Sequence, residues 1–145
     1  MKSFGQGASI TDMTHDDREI VNFTVNSITP VACTEPYAQP ATNGHLVAVD
    51  VAVETKPELA EAIMKNYYLG GGDFKFVADN GTTFNGNLFS AATISCLPAA
   101  EQFPSAGLGP GEKAAGKVIL DVPAPTGILV LKAPFSSSNG WEYKF

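Results

Sequence analysis

Histidine and cysteine are scarce: the 145-residue chain has two of each, and a single tryptophan. With so few ligating side chains the common metal patterns are missing, with no CxxC pair, no HExxH and no EF-hand spacing. No GxSxG elbow surrounds a serine, since Ser105 sits in Pro104-Ser105-Ala106-Gly107 and His45 lies beside the Asn43-Gly44 turn. The glycine stretches at 70–72 and 107–111 lack the lysine and the strand-to-helix setting of a phosphate loop, and read as turns. No run of eighteen apolar residues occurs, so no transmembrane segment is expected in this chain. The opening MKSFGQGASI has no apolar core of the signal-peptide kind.

Basic residues are also the minority. Nine Lys and Arg against fifteen Asp and Glu leave a formal net charge of −6. That is the wrong sign for a phosphate backbone or an anionic lipid surface, so no nucleic acid partner is expected. Hydrophobic residues make up 44% and charged residues 17%, which suits one compact core at this length and not a disordered segment.

What is present is alternation. In residues 20–28, Val21, Phe23 and Val25 alternate with Asn22, Thr24 and Asn26, and in 46–54 the valines at 47, 49, 51 and 53 alternate with Ala48, Asp50, Ala52 and Glu54. Period two with a β-branched row predicts strands with one buried face. Phe74 and Phe76 precede Ala78-Asp79-Asn80-Gly81, and 82–84 resume beyond it, which predicts a hairpin around Asn-Gly. Segments 88–95, 117–122, 127–132 and 141–145 are further strand candidates, separated by Gly- and Pro-rich turns. Only 57–66, PELAEAIMKN, predicts a helix, with Pro57 in its first turn and Leu59, Ile63 and Met64 toward the sheet. One helix cannot supply the crossovers of a parallel sheet. The expected fold is therefore all-β: an antiparallel β-sandwich of about eight strands with one short helical insertion. Residues 1–18 are expected as an N-terminal extension leading into the first strand, and 19–145 as the domain.

The chemistry-bearing groups are thin. Asp12, His15, Asp16 and Asp17 cluster without a recognised ligand spacing, Met13-Thr14-His15 lacks the partners of a copper site, and both read as a polar turn. Asp50, Asp73 and Asp121 supply carboxylates for a glycosidase-like pair, but strand alternation predicts solvated groups instead. Asn22-Phe23-Thr24 and Asn80-Gly81-Thr82 match a glycosylation triplet that is frequent by chance. No cofactor and no metal are expected. Among the aromatics, Tyr67 and Tyr68 are adjacent and point to opposite sides if extended, so one of them is a candidate surface contact; Trp141 is another, competing with the reading that Trp141, Tyr143 and Phe145 alternate into the core. Cys33 and Cys96 are most simply one disulfide, closing a loop of roughly 60 residues and implying an oxidising compartment; two separate buried thiols are the alternative.

The segments HLVAVDVAVETKPE, DFKFVADNGTTF, LGPGEKAAGKVILDVP, GILVLKAP and WEYKF together resemble an immunoglobulin-like domain family of secreted proteins and lipoproteins of Gram-positive bacteria. That family is similar in fold to the immunoprotective extracellular antigen of mycobacteria. The resemblance spans residues 19–145 and is most specific at Pro110-Gly111-Glu112-Lys113, Gly116 and Asp121-Val122-Pro123. There the turn reverses the chain, Gly116 permits an unusual backbone angle or a close approach, and Pro123 ends strand pairing. The chain departs from the family in the PELAEAIMKNYYLGGG insertion and in having no lipobox cysteine near its start. The resemblance implies an immunoglobulin-like sandwich that is extracytoplasmic, secreted or anchored at the cell envelope, with its signal segment absent from this chain and no enzymatic residues to carry over. The expected function is a non-enzymatic binding module for an unidentified protein or cell-envelope ligand. The alternatives are a carbohydrate or small-ligand binding domain using loop aromatics, and an enzyme whose site the sequence does not reveal.

Overall fold

The computed structural model describes residues 1–133 and 139–145; Pro134, at the end of the GILVLKAP segment, lies outside them. Among the described residues seven strands pair in two antiparallel sheets. The larger sheet has the order β1 (Gly7–Asp12), β2 (Arg18–Pro30), β3 (His45–Thr55), β5 (Lys113–Val122); the smaller is β4 (Phe74–Val77), β6 (Ile128–Leu131), β7 (Trp141–Lys144). Among the described residues no helix is long and apolar enough to cross a membrane.

The rows read from alternation are the rows that meet between the sheets. Val47, Val49, Val51 and Val53 of β3 are buried with Val21, Phe23 and Val25 of β2 and with Val118, Leu120 and Val122 of β5. From the other sheet the row Phe76, Leu129 and Tyr143 closes on them, each paired across the strands. Ile28 breaks the odd-numbered run of β2 and is buried all the same. A register shift between Val25 and Ser27 inserts one residue and returns the even position to the core.

Four expectations need correcting. Strand β1, at 7–12, pairs with β2 across its whole length, although the sequence marks no strand before residue 18. Segment 88–95 is not a strand: Ala91–Ser95 form a short helix, α1, where the Thr93 hydroxyl accepts the Ser90 N–H at 3.1 Å. A short apolar run without clear alternation does not by itself separate the two structures. In 57–66 only Pro57–Glu61 is helical, as a 3-10 turn. The chain then bends through 62–66 and brings Tyr67 to Leu108, where the two exchange both backbone hydrogen bonds, at 2.8 Å each, and that pairing outweighs local helix preference. Leu59 is buried there, while Ile63 is exposed. Around Asn80-Gly81 the turn forms, with Gly81 at φ 88° and Ala78 N–H donating to Thr82 at 2.8 Å, but 82–84 contribute one bridge rather than a strand, and β4 takes β6 as its partner.

Gly116 is a point of close approach. A Cβ there would lie 2.6 Å from the Phe103 nitrogen and 2.8 Å from the Gln102 oxygen, in the segment whose Phe103 N–H donates to Lys117 at 3.0 Å. These are backbone atoms and cannot rotate away. Gly116→Ala is expected to cost about 1–3 kcal/mol, the usual range for overpacking, read as a lower urea midpoint at unchanged m value.

The fully buried Tyr143 hydroxyl has no hydrogen-bond partner among the described residues. Tyr143→Phe is therefore expected to raise stability at neutral pH, by about 1 kcal/mol, because it removes a desolvated, unpaired hydroxyl. Burial also pushes this phenol up to about 12, and it raises Tyr67 in the same direction, with Asp73 adding to it. The unfolded phenols ionise near pH 10, so the unfolded chain loses these protons first. Stability is complete below about pH 10 and falls as pH rises toward the folded values. Denaturant midpoints measured from pH 9 to 12 are expected to decline less steeply in Tyr143→Phe than in the wild type.

Candidate functional site

The outer face of the larger sheet is half covered. Ala48 and Ile119, cross-strand partners that point away from the main core, form a second buried cluster with Cys96 and Leu97, edged by Val31, Cys33 and Leu46. The cover consists of the chain after β2 and the chain around α1, joined by the Cys33–Cys96 disulfide. Both segments are turn-rich and hold little regular structure of their own, so the cross-link and this small core position them.

Asp121 lies beneath the cover, where alternation predicted a solvated side chain, and it is fully buried. Its Oδ2 accepts the Thr42 N–H at 2.7 Å and the Ser90 hydroxyl at 2.7 Å, and its Oδ1 accepts the Asn43 N–H at 2.9 Å. The Asn43 side chain in turn donates to the carbonyls of Asp121 and Asn87, at 2.8 and 2.6 Å. One carboxylate thus ties both covering segments to the end of β5. Its oxygens are occupied by protein donors, which makes it a structural anchor.

Where the cover meets the free edge of β5 it leaves a cleft of about 750 Å³, running past Leu69, Gly71, Phe103, Lys117 and Ile119. Three large apolar side chains stand at its margin and are mostly solvent-exposed: Tyr37 at 64%, Phe89 at 56% and Ile94 at 59%. Leu69, Leu97 and Phe103 are buried beneath them. A concave, largely apolar lining with a few polar groups is the usual form of a small-ligand or peptide site, and exposed apolar side chains gathered in one patch mark contact surfaces. The sequence reading did not find these residues. Its available signal was weak: large apolar side chains within turn-rich stretches that flank the two cysteines.

A second concavity, of about 760 Å³, crosses the uncovered half of the same sheet face. Its row Gly7, Thr24, Ala52 and Ala115 runs over all four strands and carries only small side chains. It is a shallow trough, and among the described residues no exposed large apolar side chain lines it.

The aromatic residues singled out from sequence do not share a site. Tyr67 is buried and Tyr68 exposed, as expected for adjacent positions in an extended segment. Tyr68 packs over Gly107, where a Cβ would come within 2.6 Å of its ring. Trp141 is half-buried, edge-on to Phe23 at 4.8 Å between centroids, on the opposite sheet. Among the acidic groups, Asp12 is buried and accepts the Thr14 hydroxyl at 2.6 Å, which holds its carboxyl below the usual range, while His15 Nδ1 lies 2.7 Å from its other oxygen. Asp16 and Asp17 turn the chain with left-handed backbone angles. Asp73 accepts the Gly70 N–H at 2.8 Å, and burial raises its carboxyl. Among the described residues no three His, Cys, Asp or Glu side chains are gathered as a metal would require.

No family model matches the chain, and no curated protein matches it. The fold is shared with solved structures. MPT63, a secreted protein from Mycobacterium tuberculosis, aligns with a TM-score of 0.59 at 18% identity, covering 98% of this chain and 95% of its own. YcdA, a candidate lipoprotein from Bacillus subtilis, gives 0.56 at 11% identity over 99% of this chain and 39% of its own. The Bacillus subtilis yjhA protein gives 0.54 at 15% identity, covering 99% and 97%. The chain is an all-β sandwich with a fold similar to that of MPT63. At these identities the likeness is one of fold.

Proposed function

We propose that this protein is a non-catalytic, extracytoplasmic binding module that captures an apolar ligand in the cleft along β5. The observation that carries this reading is the rim: Tyr37, Phe89 and Ile94 are exposed together over a concave apolar floor. Leaving them in water forgoes burial worth about 1.5–3 kcal/mol for each large side chain, which a ligand recovers. The extracytoplasmic setting is supported by the disulfide, which persists in oxidising compartments, and by similarity to a secreted protein and a candidate lipoprotein. The two Bacillus neighbours and the Pro110-Gly111-Glu112-Lys113 turn favour the immunoglobulin-like Gram-positive family that the sequence resembles.

The test is fluorescence of the neutral dye N-phenyl-1-naphthylamine. Saturable enhancement is expected with the wild type. It should be lost in Ala106→Trp, which fills the cleft, and kept in Ala115→Trp, which fills the trough. Equal enhancement in wild type and Ala106→Trp would overturn the reading.

Carbohydrate recognition is a second reading, favoured by Tyr68. Its ring lies close against Gly107 while the residue stays 56% exposed, so a fixed aromatic ring is open to a sugar. Titration with cell-wall glycans is then expected to show binding that Tyr68→Ala removes.

A further inference from the structure

On the edge of β5 that borders the cleft, the backbone amide of Ile119 has no partner among the described residues. Thr55 N–H donates to the Glu112 carbonyl at 2.8 Å, so the even-numbered residues of β5 direct their backbone groups toward β3. The odd-numbered ones look the other way. Phe103 N–H donates to Lys117 at 3.0 Å, and Asp121 N–H donates to Leu88 at 2.8 Å. Ile119 lies between these two positions, lines the cleft, and has no partner on that edge for its N–H or its C=O among the described residues. A covered N–H and C=O without partners are unfavourable, and an extended ligand residue supplies both at once.

The dimensions limit what fits. From Lys117 to Asp121 is four residues, about 13 Å at the strand rise, with the edge occupied at both ends. A through-running strand does not fit in that interval; a chain end does, with its carboxylate short of Phe103 and its preceding residues turning out of the edge before Leu88. Charge selects which end. Among the described residues Lys117 is the one charged side chain of the cleft lining, in a chain of net charge −6. Asp50 is its cross-strand partner, yet the two form no ion pair among the described residues. Lys117 is a partly exposed residue with no ion pair among the described residues, and its positive charge is complementary to a carboxylate carried by the ligand.

We propose, on the reading of the cleft as a binding site, that it takes the carboxyl end of a short apolar peptide. The peptide runs antiparallel to β5. Its penultimate residue pairs with the backbone of Ile119, its terminal carboxylate meets Lys117, and its apolar side chains lie against Phe89 and Phe103.

The probe is N-acetyl-Ala-Val-Phe with a free carboxylate, compared with the same peptide as its C-terminal amide, followed by nitrogen-15 NMR titration. The free acid is expected to move the Ile119 amide resonance and to bind at least about tenfold more tightly than the amide. Lys117→Met should abolish that difference while leaving the rest of the spectrum in place. Equal binding of the two peptides, or an unmoved Ile119 resonance, would overturn the proposal. So would cleft binding of dodecanoate without binding of the peptide, which would assign the site to a lipid carboxylate. If peptide binding fails while Ala106→Trp still blocks the dye, only the peptide assignment falls. If the dye also shows no cleft-dependent binding, the binding-module reading falls with it.

Discussion

Asp121→Ala is expected to lower stability by about 3–5 kcal/mol, an effect far beyond that of an ordinary aspartate on a strand. The carboxylate is fully buried and accepts three protein donors, from Thr42, Asn43 and Ser90. Alanine leaves those donors without their acceptor under a cover that excludes water. Asp121→Asn keeps one carbonyl oxygen but turns an amide against donors, so an intermediate loss of about 1–3 kcal/mol is expected. Urea unfolding with an unchanged m value measures both. A loss below about 1 kcal/mol for alanine would mean that the covering segments hold without this anchor. Because the same segments carry Tyr37 and Phe89 to the rim, Asp121→Ala should also weaken dye binding in the fraction that remains folded.

Removal of the Cys33–Cys96 disulfide, by paired alanine substitution, is expected to cost about 4 kcal/mol, the chain-entropy value for a loop of this length. The cross-link joins positions separated by 63 residues, and at this chain size the loss corresponds to a fall of roughly 10–15 °C in Tm. The effect is expected to be uneven across the molecule. Cys96 is buried with Ala48, Leu97 and Ile119 on the outer face, whereas the valine rows between the sheets do not depend on it. Hydrogen exchange in the variant should rise first in 31–44 and 88–103, with β2 and β3 protected until global unfolding. Uniform acceleration in all strands would contradict this division.

The central strands were legible where one face is wet: β2, β3 and β7 show it as alternation in the sequence, and the structure buries the apolar row. β5 and β6 are largely apolar runs buried on both faces, Val118–Val122 and Leu129–Leu131, and only their length and flanking turns marked them as strands. β1 was not legible because its inward positions are Ala8, Ile10 and the buried Asp12, too small and too polar a row to announce a strand. The burial of Asp121 was misread for a related reason. Period two tells which face of a strand a residue occupies, but not whether that face is later covered by chain from elsewhere. For the aromatic pair, adjacency put the two rings on opposite sides without saying which side is wet; the structure buries Tyr67 and exposes Tyr68. Adjacency carried no information on the cleft, whose margin is built from Tyr37, Phe89 and Ile94.

The amino-acid sequence by itself therefore determined the all-β class, most of the strands and which of their faces go inward, since these follow from side-chain alternation within a few neighbouring residues. Tertiary structure alone decided where a ligand can sit. The cleft is assembled from segments far apart in the chain, held by a disulfide and a buried carboxylate, and the free amide at Ile119 arises only from which stretches of edge the covering chain happens to pair. Such long-range pairing leaves no periodic trace in the order of residues.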